Sequence, residues 1–196
     1  VKKDLEQYDA IAIGPGMGTN GTTKKILKVI LKNYTKTLVI DADGLNTIAK
    51  YDLYREIKKG NCQIIITPHI GEAKRLLKCE MLEDIKPDQL ANSLVNMIGG
   101  TVIIKGHETL VAVDSVHAYT NTTGNPGMST AGSGDVLTGI ITSLVGQGLK
   151  PSDAARAGVF IHGMAGDMAR EKLGEFGMIA GDIIEYIPFA IKKCLN

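Results

Sequence analysis

A glycine-rich segment that leads into a helical pattern contains the side chains best suited to chemistry. Residues 121–143 read NTTGNPGMSTAGSGDVLTGIITS, with four glycines between Gly124 and Gly134 and apolar residues at helical spacing from Val136. A glycine-rich turn before a helix presents unpaired backbone N–H groups and the positive end of the helix dipole, which together bind anions. Asp135 lies at this turn, where its carboxylate is able to accept a proton. The segment predicts a phosphate site; the alternative is that Asp135 only caps a buried helix.

Four further polar clusters each follow a predicted strand. Apolar runs predict buried strands at 10–13, 38–40, 63–67 and 101–104. The clusters after them are Gly14–Gly18, Asp41–Asn46, Pro68–Glu72 and Lys105–Thr109. Ligands of a parallel sheet covered by helices bind at the carboxyl ends of its strands. We therefore expect an α/β fold with a mainly parallel sheet, helices on both faces and one site along one edge.

The remaining pattern predicts a hairpin and a series of helices. The runs 110–113 and 116–119, separated by Asp114 and Ser115, indicate a tight antiparallel hairpin. Apolar residues at helical spacing predict helices at 22–33, 45–50, 53–58, 72–77, 88–98, 134–145, 152–171 and 182–193. Alternation of strands and helices supports the α/β class.

Two of the clusters contain groups that suit a nucleotide and its metal ion. In TPHIGE, Glu72 follows His69 by three residues, and its carboxylate suits a magnesium ion held through water. The alternative is a helix-terminal acid beside a polar loop histidine. In KGHET, Lys105 and Thr109 offer an ammonium and a hydroxyl around a flexible backbone, which suits the phosphates of a nucleotide. The alternative is that this segment is only a solvated turn.

Two other motifs have simpler interpretations. Gly16, Gly18 and Gly21 match the dinucleotide fingerprint, and Asp41 ends the next strand. The polar run 22–25 after them argues against a helix packed tightly on a sheet, so we favour a glycine turn that lets a ligand approach the backbone. His162, in FIHGMAGD, is interpreted as packing or as a wall of the pocket.

Composition excludes several functional classes. The 196 residues are 44% hydrophobic and 22% charged, which is typical of one soluble globular domain. A net charge of +1 gives no basis for binding nucleic acid or a membrane surface, and no apolar run is long enough to span a bilayer. Cys62, Cys79 and Cys194 are odd in number and widely spaced, which favours a reducing compartment. We expect a cytoplasmic protein.

Taken together, the motifs resemble those of one enzyme family. GPGMG, DADGLN, TPHIGE, KGHET and AGSGDVLTGII occur in this order between Asp9 and about Asp182 and resemble the ADP-dependent NAD(P)H-hydrate dehydratases. The resemblance implies a ribokinase-like α/β fold. It implies that ADP phosphorylates the hydroxyl of (S)-NADHX or NADPHX, after which phosphate is eliminated to give AMP, phosphate and NADH or NADPH. It also implies a homo-oligomer and, in related proteins, a fused NAD(P)HX epimerase domain.

The resemblance assigns roles to individual residues. Asp135 corresponds to the catalytic carboxylate that takes the proton from the substrate hydroxyl. With Gly18 and His69 it contacts the hydrated nicotinamide nucleotide, and Gly16 is a further candidate. Glu72 corresponds to the acid that organises magnesium in related kinases. The residues implied for the adenine nucleotide are Lys105, Gly106, His107, Glu108, Thr109 and Gly134, and the N–H groups of residues 131–134 are implied to hold the phosphoryl group.

The resemblance has one large departure and leaves two rival functions open. The family's domain normally begins before the first strand predicted here, so we expect residues 1–196 to form one such domain without its N-terminal strands and substrate loop. The same motifs fit an ATP-dependent kinase of a small alcohol, such as a vitamin precursor, and a nucleotide-binding module without catalysis. The resemblance to such kinases would imply an Asn at the position of His69, so the histidine favours the dehydratase.

Overall fold

The computed structural model describes residues 2–113 and 118–195, which contain one six-stranded sheet. The strands are β1 (Ala10–Ile13), β2 (Thr37–Ile40), β3 (Gln63–Ile66), β4 (Thr101–Ile104), β5 (Leu110–Ala112) and β6 (Ala118–Thr120). Their order in the sheet is their order along the chain; β1 to β4 are parallel, and β5 and β6 are antiparallel. The predicted strands and hairpin pairing are confirmed. The hairpin turn predicted at Asp114 and Ser115 lies outside the described residues.

Helices occupy most of the remaining described chain. They are α1 (Lys2–Glu6), α2 (Gly21–Asn33), α3 (Ala42–Tyr51), α4 (Tyr54–Lys59), α5 (Ile70–Leu76), α6 (Pro87–Ile98), α7 (Ser133–Gly146), α8 (Pro151–Leu173) and α9 (Ala180–Leu195), with a short 3-10 helix at Pro126–Met128. Helix α1 and the 3-10 helix were not predicted. The polar run at 22–25 does begin a helix, because the Asn20 side chain accepts the N–H groups of Thr22 and Thr23.

The sheet is buried on both faces, which explains its continuous apolar strands. On one face, alternate strand residues such as Leu38, Ile66 and Ile104 pack against α2 to α6. On the other face, Val39, Ile65, Ile103 and Val111 pack against α7 and α8. Helix α9 packs outside α7 and α8. The predicted mainly parallel sheet with helices on both faces is confirmed.

The longest helix within the described ranges is α8, with 23 residues. It contains aspartate, glutamate, lysine and arginine side chains along its length. In these ranges no helix combines the length and the apolar content needed to cross a bilayer.

The carboxyl ends of the parallel strands place the polar clusters side by side. The Lys105 N–H donates to the Pro68 carbonyl at 2.8 Å, and His69 pairs with Lys105 beyond the ends of β3 and β4. At β1 and β2, the loop after β1 lies directly against Asp41. Gly14 has a φ of 129°, and a Cβ there would lie 1.8 Å from the Asp41 carbonyl oxygen. Only glycine permits this approach.

We expect Gly14→Ala to destabilise the protein far more than Gly16→Ala. Both glycines have positive φ, but a Cβ on Gly16 meets no atom within 4 Å. Gly16→Ala should therefore cost only the left-handed backbone penalty, about 1–2 kcal/mol. Gly14→Ala adds a backbone clash and should cost about 3–5 kcal/mol. Urea unfolding of both variants measures the difference, and equal losses would contradict the close approach at Asp41.

Candidate active site

A cavity of about 690 Å³ lies beyond the ends of β3 and β4. Its walls come from the loop after β4, the segment 121–130, the start of α7 and one face of α8. Residues that line it are His69, Lys105, Gly106, His107, Thr109, Asn121, Thr123, Gly124, Asn125, Ser133, Gly134, Val159, His162 and Gly163. The structure thus brings His69 together with five of the six residues predicted for the nucleotide. Glu108 is exposed and is not among the lining residues.

The Lys105 ammonium is held by a buried carboxylate. Its Nζ lies 2.7 Å from Asp41 Oδ1, and the Asp41 side chain is 1% exposed. The other oxygen, Asp41 Oδ2, accepts a hydrogen bond from the Thr138 hydroxyl at 2.9 Å. Sequence reasoning placed the Asp41–Asn46 cluster at this edge but gave Asp41 no specific contact, and it assigned no role to Thr138. The position of Asp41 at a strand's carboxyl end was a usable signal, whereas Thr138 carried none.

The first turn of α7 lies directly over this ion pair. A Cβ on Gly134 would be 3.2 Å from Lys105 Nζ and 3.8 Å from Asp41 Oδ2. The Ser133 N–H donates to the Thr130 carbonyl at 3.3 Å, so it is already used. A helix leaves its first N–H groups without intrahelical acceptors, so those of Gly134 and Asp135 remain available. An ammonium and helix-terminal N–H groups therefore converge on one point, which suits a phosphate.

His69 and Glu72 form a capping box at the start of α5. His69 Nδ1 accepts the N–H groups of Gly71 and Glu72, at 3.0 and 3.3 Å, and Glu72 Oε2 accepts the His69 N–H at 2.9 Å. Because Nδ1 is an acceptor, the neutral ring carries its hydrogen on Nε2, which lies 3.6 Å from Glu72 Oε1. This geometry matches the alternative to a metal site, in which Glu72 is a helix-terminal acid and His69 is a polar residue beside it.

The surroundings of Glu72 fit a magnesium ion that takes most of its ligands from water and substrate phosphates. Within residues 2–113 and 118–195, no group of three or more His, Cys, Asp or Glu side chains is arranged to hold a metal. Glu72 is buried, and its Oε2 lies 4.0 Å from Lys105 Nζ. Magnesium commonly takes one or two carboxylates and completes its shell with water and substrate phosphates. A single Glu72 fits that pattern and does not fit a cage made of protein groups alone.

Two residues assigned to the substrate lie outside the cavity. The Gly18 N–H donates to Asp43 Oδ2 at 2.8 Å, so this amide is not open to a ligand. Asp135 is exposed and lines a separate apolar groove between α7 and α9, which includes Val136, Ile140, Ile184, Ile187 and Ile191. Successive helix residues point about 100° apart. Gly134 therefore faces the cavity while Asp135 faces the groove.

His162 on α8 forms part of the cavity wall, as predicted, and contacts the start of α7. Its Nε2 lies 3.3 Å from Ser133 Oγ. Burial lowers the pKa of His162 from its ordinary value of 6.5 to about 4; a hydrogen bond with the Ser133 backbone opposes this, and the Lys105 charge adds to it. The imidazole is therefore neutral at physiological pH. The pairing with Ser133 was not predicted, because the two residues are 29 positions apart.

We expect the lowered pKa of His162 to reduce the free energy of unfolding in mild acid. Above pH 6.5 the ring is neutral in both states and contributes no pH dependence. As the pH falls towards 4, the imidazole is protonated in the unfolded chain before it is protonated in the folded protein. The free energy of unfolding therefore falls by up to about 3 kcal/mol. Urea unfolding from pH 7 to 4 should show a smaller loss in His162→Gln. Parallel pH profiles for the two proteins would contradict the lowered pKa.

Comparison with known proteins shows the family. The model of the NAD(P)H-hydrate dehydratase family matches residues 1–189. The chain is 40% identical over 191 residues to a bifunctional NAD(P)H-hydrate repair enzyme of Moorella thermoacetica, covering 96% of this chain and 36% of that protein. It is 40% identical over 182 residues to the ADP-dependent (S)-NAD(P)H-hydrate dehydratase of Neisseria meningitidis, covering 91% and 61%. The chain thus spans about a third to three fifths of these curated relatives.

A solved structure shows the same fold. It is an ADP/ATP-dependent NAD(P)H-hydrate dehydratase from Bacillus subtilis, co-crystallised with ATP and Mg²⁺ and soaked with coenzyme A. The TM-score is 0.84 at 25% identity, covering 95% of this chain and 66% of that one. The predicted ribokinase-like fold is confirmed. The chain belongs to the NAD(P)H-hydrate dehydratase family.

Proposed function

We propose that this chain carries out ADP-dependent dehydration of (S)-NADHX and NADPHX to NADH and NADPH, with formation of AMP and phosphate. The observation that carries the proposal is the convergence of Lys105 and the first turn of α7 on one point of a nucleotide-sized cavity. Membership of the family and its named relatives supplies the substrate. Asp135, one residue beyond that point, supplies a carboxylate.

The chemistry requires a better leaving group than hydroxide. The hydroxyl oxygen of the hydrate attacks the β-phosphorus of ADP; the bond from that phosphorus to the bridging oxygen breaks, and AMP leaves. The C–O bond of the phosphate ester then breaks, assisted by the lone pair of the ring nitrogen. Loss of a proton from the adjacent ring carbon completes the double bond of the dihydronicotinamide. In the net reaction, the hydrate and ADP give NADH or NADPH, AMP and phosphate; no free water is released, because the hydroxyl oxygen of the hydrate leaves as part of the phosphate.

We assign the two depressions beside α7 to the two substrates. The nucleotide occupies the cavity, with its phosphates near Lys105, Gly134 and the KGHET loop. The hydrate approaches from the groove side, so its hydroxyl meets the Asp135 carboxylate, which accepts the proton as the phosphoryl group is transferred. The N–H groups of the first turn then offset charge on the transferring group. His69 contributes at the cavity rim, while the Gly18 amide requires release from Asp43 to bind a ligand.

Magnesium belongs to this proposal as a nucleotide-bound ion. When bound, it would neutralise charge on the ADP phosphates. Glu72, whose Oε2 lies 4.0 Å from Lys105 Nζ, would orient the ion's water shell. The Bacillus subtilis relative was co-crystallised with ATP and Mg²⁺, which supports the use of a nucleotide with this metal.

The same proposal extends to partners and compartment. We infer an NAD(P)HX epimerase as partner, fused or separate, because curated relatives are bifunctional repair enzymes. We infer a homo-oligomer, as the family resemblance implies. Cys62, Cys79 and Cys194 are free thiols, which supports a reducing compartment and therefore the cytoplasm. We propose that residues 1–196 form one ribokinase-like dehydratase domain.

The decisive assay supplies NADHX with ADP or ATP and Mg²⁺ and follows the near-ultraviolet absorbance of NADH. We expect NADH to appear with ADP, and Asp135→Asn to slow it at least about 100-fold, because the proton acceptor is lost. Asp153→Asn is the matched control, since Asp153 also lies in the first turn of a helix, α8. It should leave the rate unchanged.

Other outcomes identify the rival functions. Phosphorylation of a small alcohol by ATP without NADH formation would indicate a kinase. Nucleotide binding without turnover of any substrate would indicate a binding module. Full activity of Asp135→Asn would overturn the catalytic assignment even if NADH is formed.

A further inference from the structure

Ser133 and His162 form a side-chain pair at the floor of the nucleotide cavity. Ser133 is the first residue of α7 and is 7% exposed, and its Oγ lies 3.3 Å from His162 Nε2. Both residues line the cavity beside Lys105 and Gly134. The serine therefore lines the same cavity as the Lys105 ammonium and the first turn of α7.

The position of His162 is fixed by its own helix. Gly163 and Gly166 let the segment 121–130 lie against α8, since Cβ atoms there would come 2.2 Å from Thr123 Oγ1 and 2.3 Å from Met128 Sδ. Asp167 accepts the Gly124 N–H at 2.8 Å and the Asn125 side chain at 3.0 Å. The HGMAGD segment thus holds the cavity wall rigidly next to His162.

A neutral imidazole can pair with a serine hydroxyl in two ways. If Nε2 is unprotonated, it accepts the hydroxyl hydrogen, and the serine presents only lone pairs to the cavity. If Nε2 carries the hydrogen, it donates to Oγ, and the hydroxyl hydrogen is free to point into the cavity. Burial and the nearby Lys105 charge keep His162 neutral, so one of these two arrangements applies.

The chemistry of the cavity selects the second arrangement. A phosphate oxygen accepts hydrogen bonds and is repelled by lone pairs, whereas a hydroxyl hydrogen directed at it forms a charge-assisted bond. We propose that His162 is a positioning residue: its Nε2–H donates to Ser133 Oγ, which makes the Ser133 hydroxyl a donor to the nucleotide phosphate. This inference rests on the proposed function in one respect, the identity of the anion.

The first arrangement would make Ser133 a nucleophile activated by a base. A serine–histidine pair of that kind is normally completed by a third group that orients the base. In the part of the chain that the structure describes, no carboxylate is hydrogen-bonded to His162. Phosphoryl transfer onto Ser133 is therefore the outcome that would overturn the proposal.

The test compares Ser133→Ala, His162→Leu, His162→Gln and the double variant Ser133→Ala/His162→Leu. Calorimetric titration with Mg-ADP gives each dissociation constant, and thermal unfolding checks that each variant is folded. We expect Ser133→Ala and His162→Leu each to weaken ADP binding about tenfold, the size of one lost charge-assisted hydrogen bond. The double variant should be no weaker than either single variant, because both changes remove the same bond.

Three further measurements separate this proposal from a structural role. His162→Gln should bind ADP within about threefold of the wild type, since its amide offers a donor at the same reach. Ser143→Ala, a serine on the same helix that pairs with Gln147, should leave binding unchanged. Intact-mass analysis after incubation with ADP should show no phosphorylated Ser133.

Failure of this inference and failure of the proposed function give different results. Wild-type protein that binds neither ADP nor ATP would sink the proposed function. Wild-type binding with additive losses in the double variant, or with no rescue by His162→Gln, would sink the role of His162 and leave the proposed function intact.

Discussion

The buried ion pair between Asp41 and Lys105 is the constraint on which the site depends. A carboxylate that is 1% exposed must be paired and hydrogen-bonded, and Lys105 and Thr138 meet both needs. The pair joins the carboxyl ends of β2 and β4 to the first turns of α7. Buried pairs of this kind add little net stability, but removing one partner is costly because a charge is left unpaired. Their main effect here is geometric, since they fix the ammonium beneath Gly134.

This constraint explains why small residues surround the pair. Gly134 leaves room for Lys105 Nζ, and Gly14 lets the loop after β1 lie against the Asp41 backbone. A side chain at either position would displace one partner of the ion pair or the start of α7. The anion site that we propose is therefore made of an ammonium, helix-terminal N–H groups and a serine hydroxyl that are held in place before any ligand arrives. Donors held in this way bind charge without the cost of reorganisation.

Sequence patterns predicted the elements well and the contacts between them poorly. Apolar periodicity identified β1 to β4, and the rule for carboxyl ends placed His69 beside the Lys105–Thr109 loop. Asp41 and Lys105 are 64 residues apart, and Asp41 and Thr138 are 97 apart, so no local spacing reports their contact. The sequence pattern also did not predict which way the Asp135 side chain points. A shift of one residue along a helix is enough to turn a side chain from the cavity to the groove.

The most direct test of the central claim is the affinity of Mg-ADP for a protein in which the ion pair is neutral. The double variant Asp41→Asn/Lys105→Gln keeps two hydrogen-bonding side chains of similar size and removes both charges of the pair together, while Glu72 keeps its hydrogen bond from the His69 N–H. Calorimetric titration, with thermal unfolding as the check on folding, should show binding at least about tenfold weaker than in the wild type, since one charged contact to phosphate is lost. Unchanged affinity in a folded variant would show that the nucleotide phosphates do not lie on Lys105 and would contradict the account.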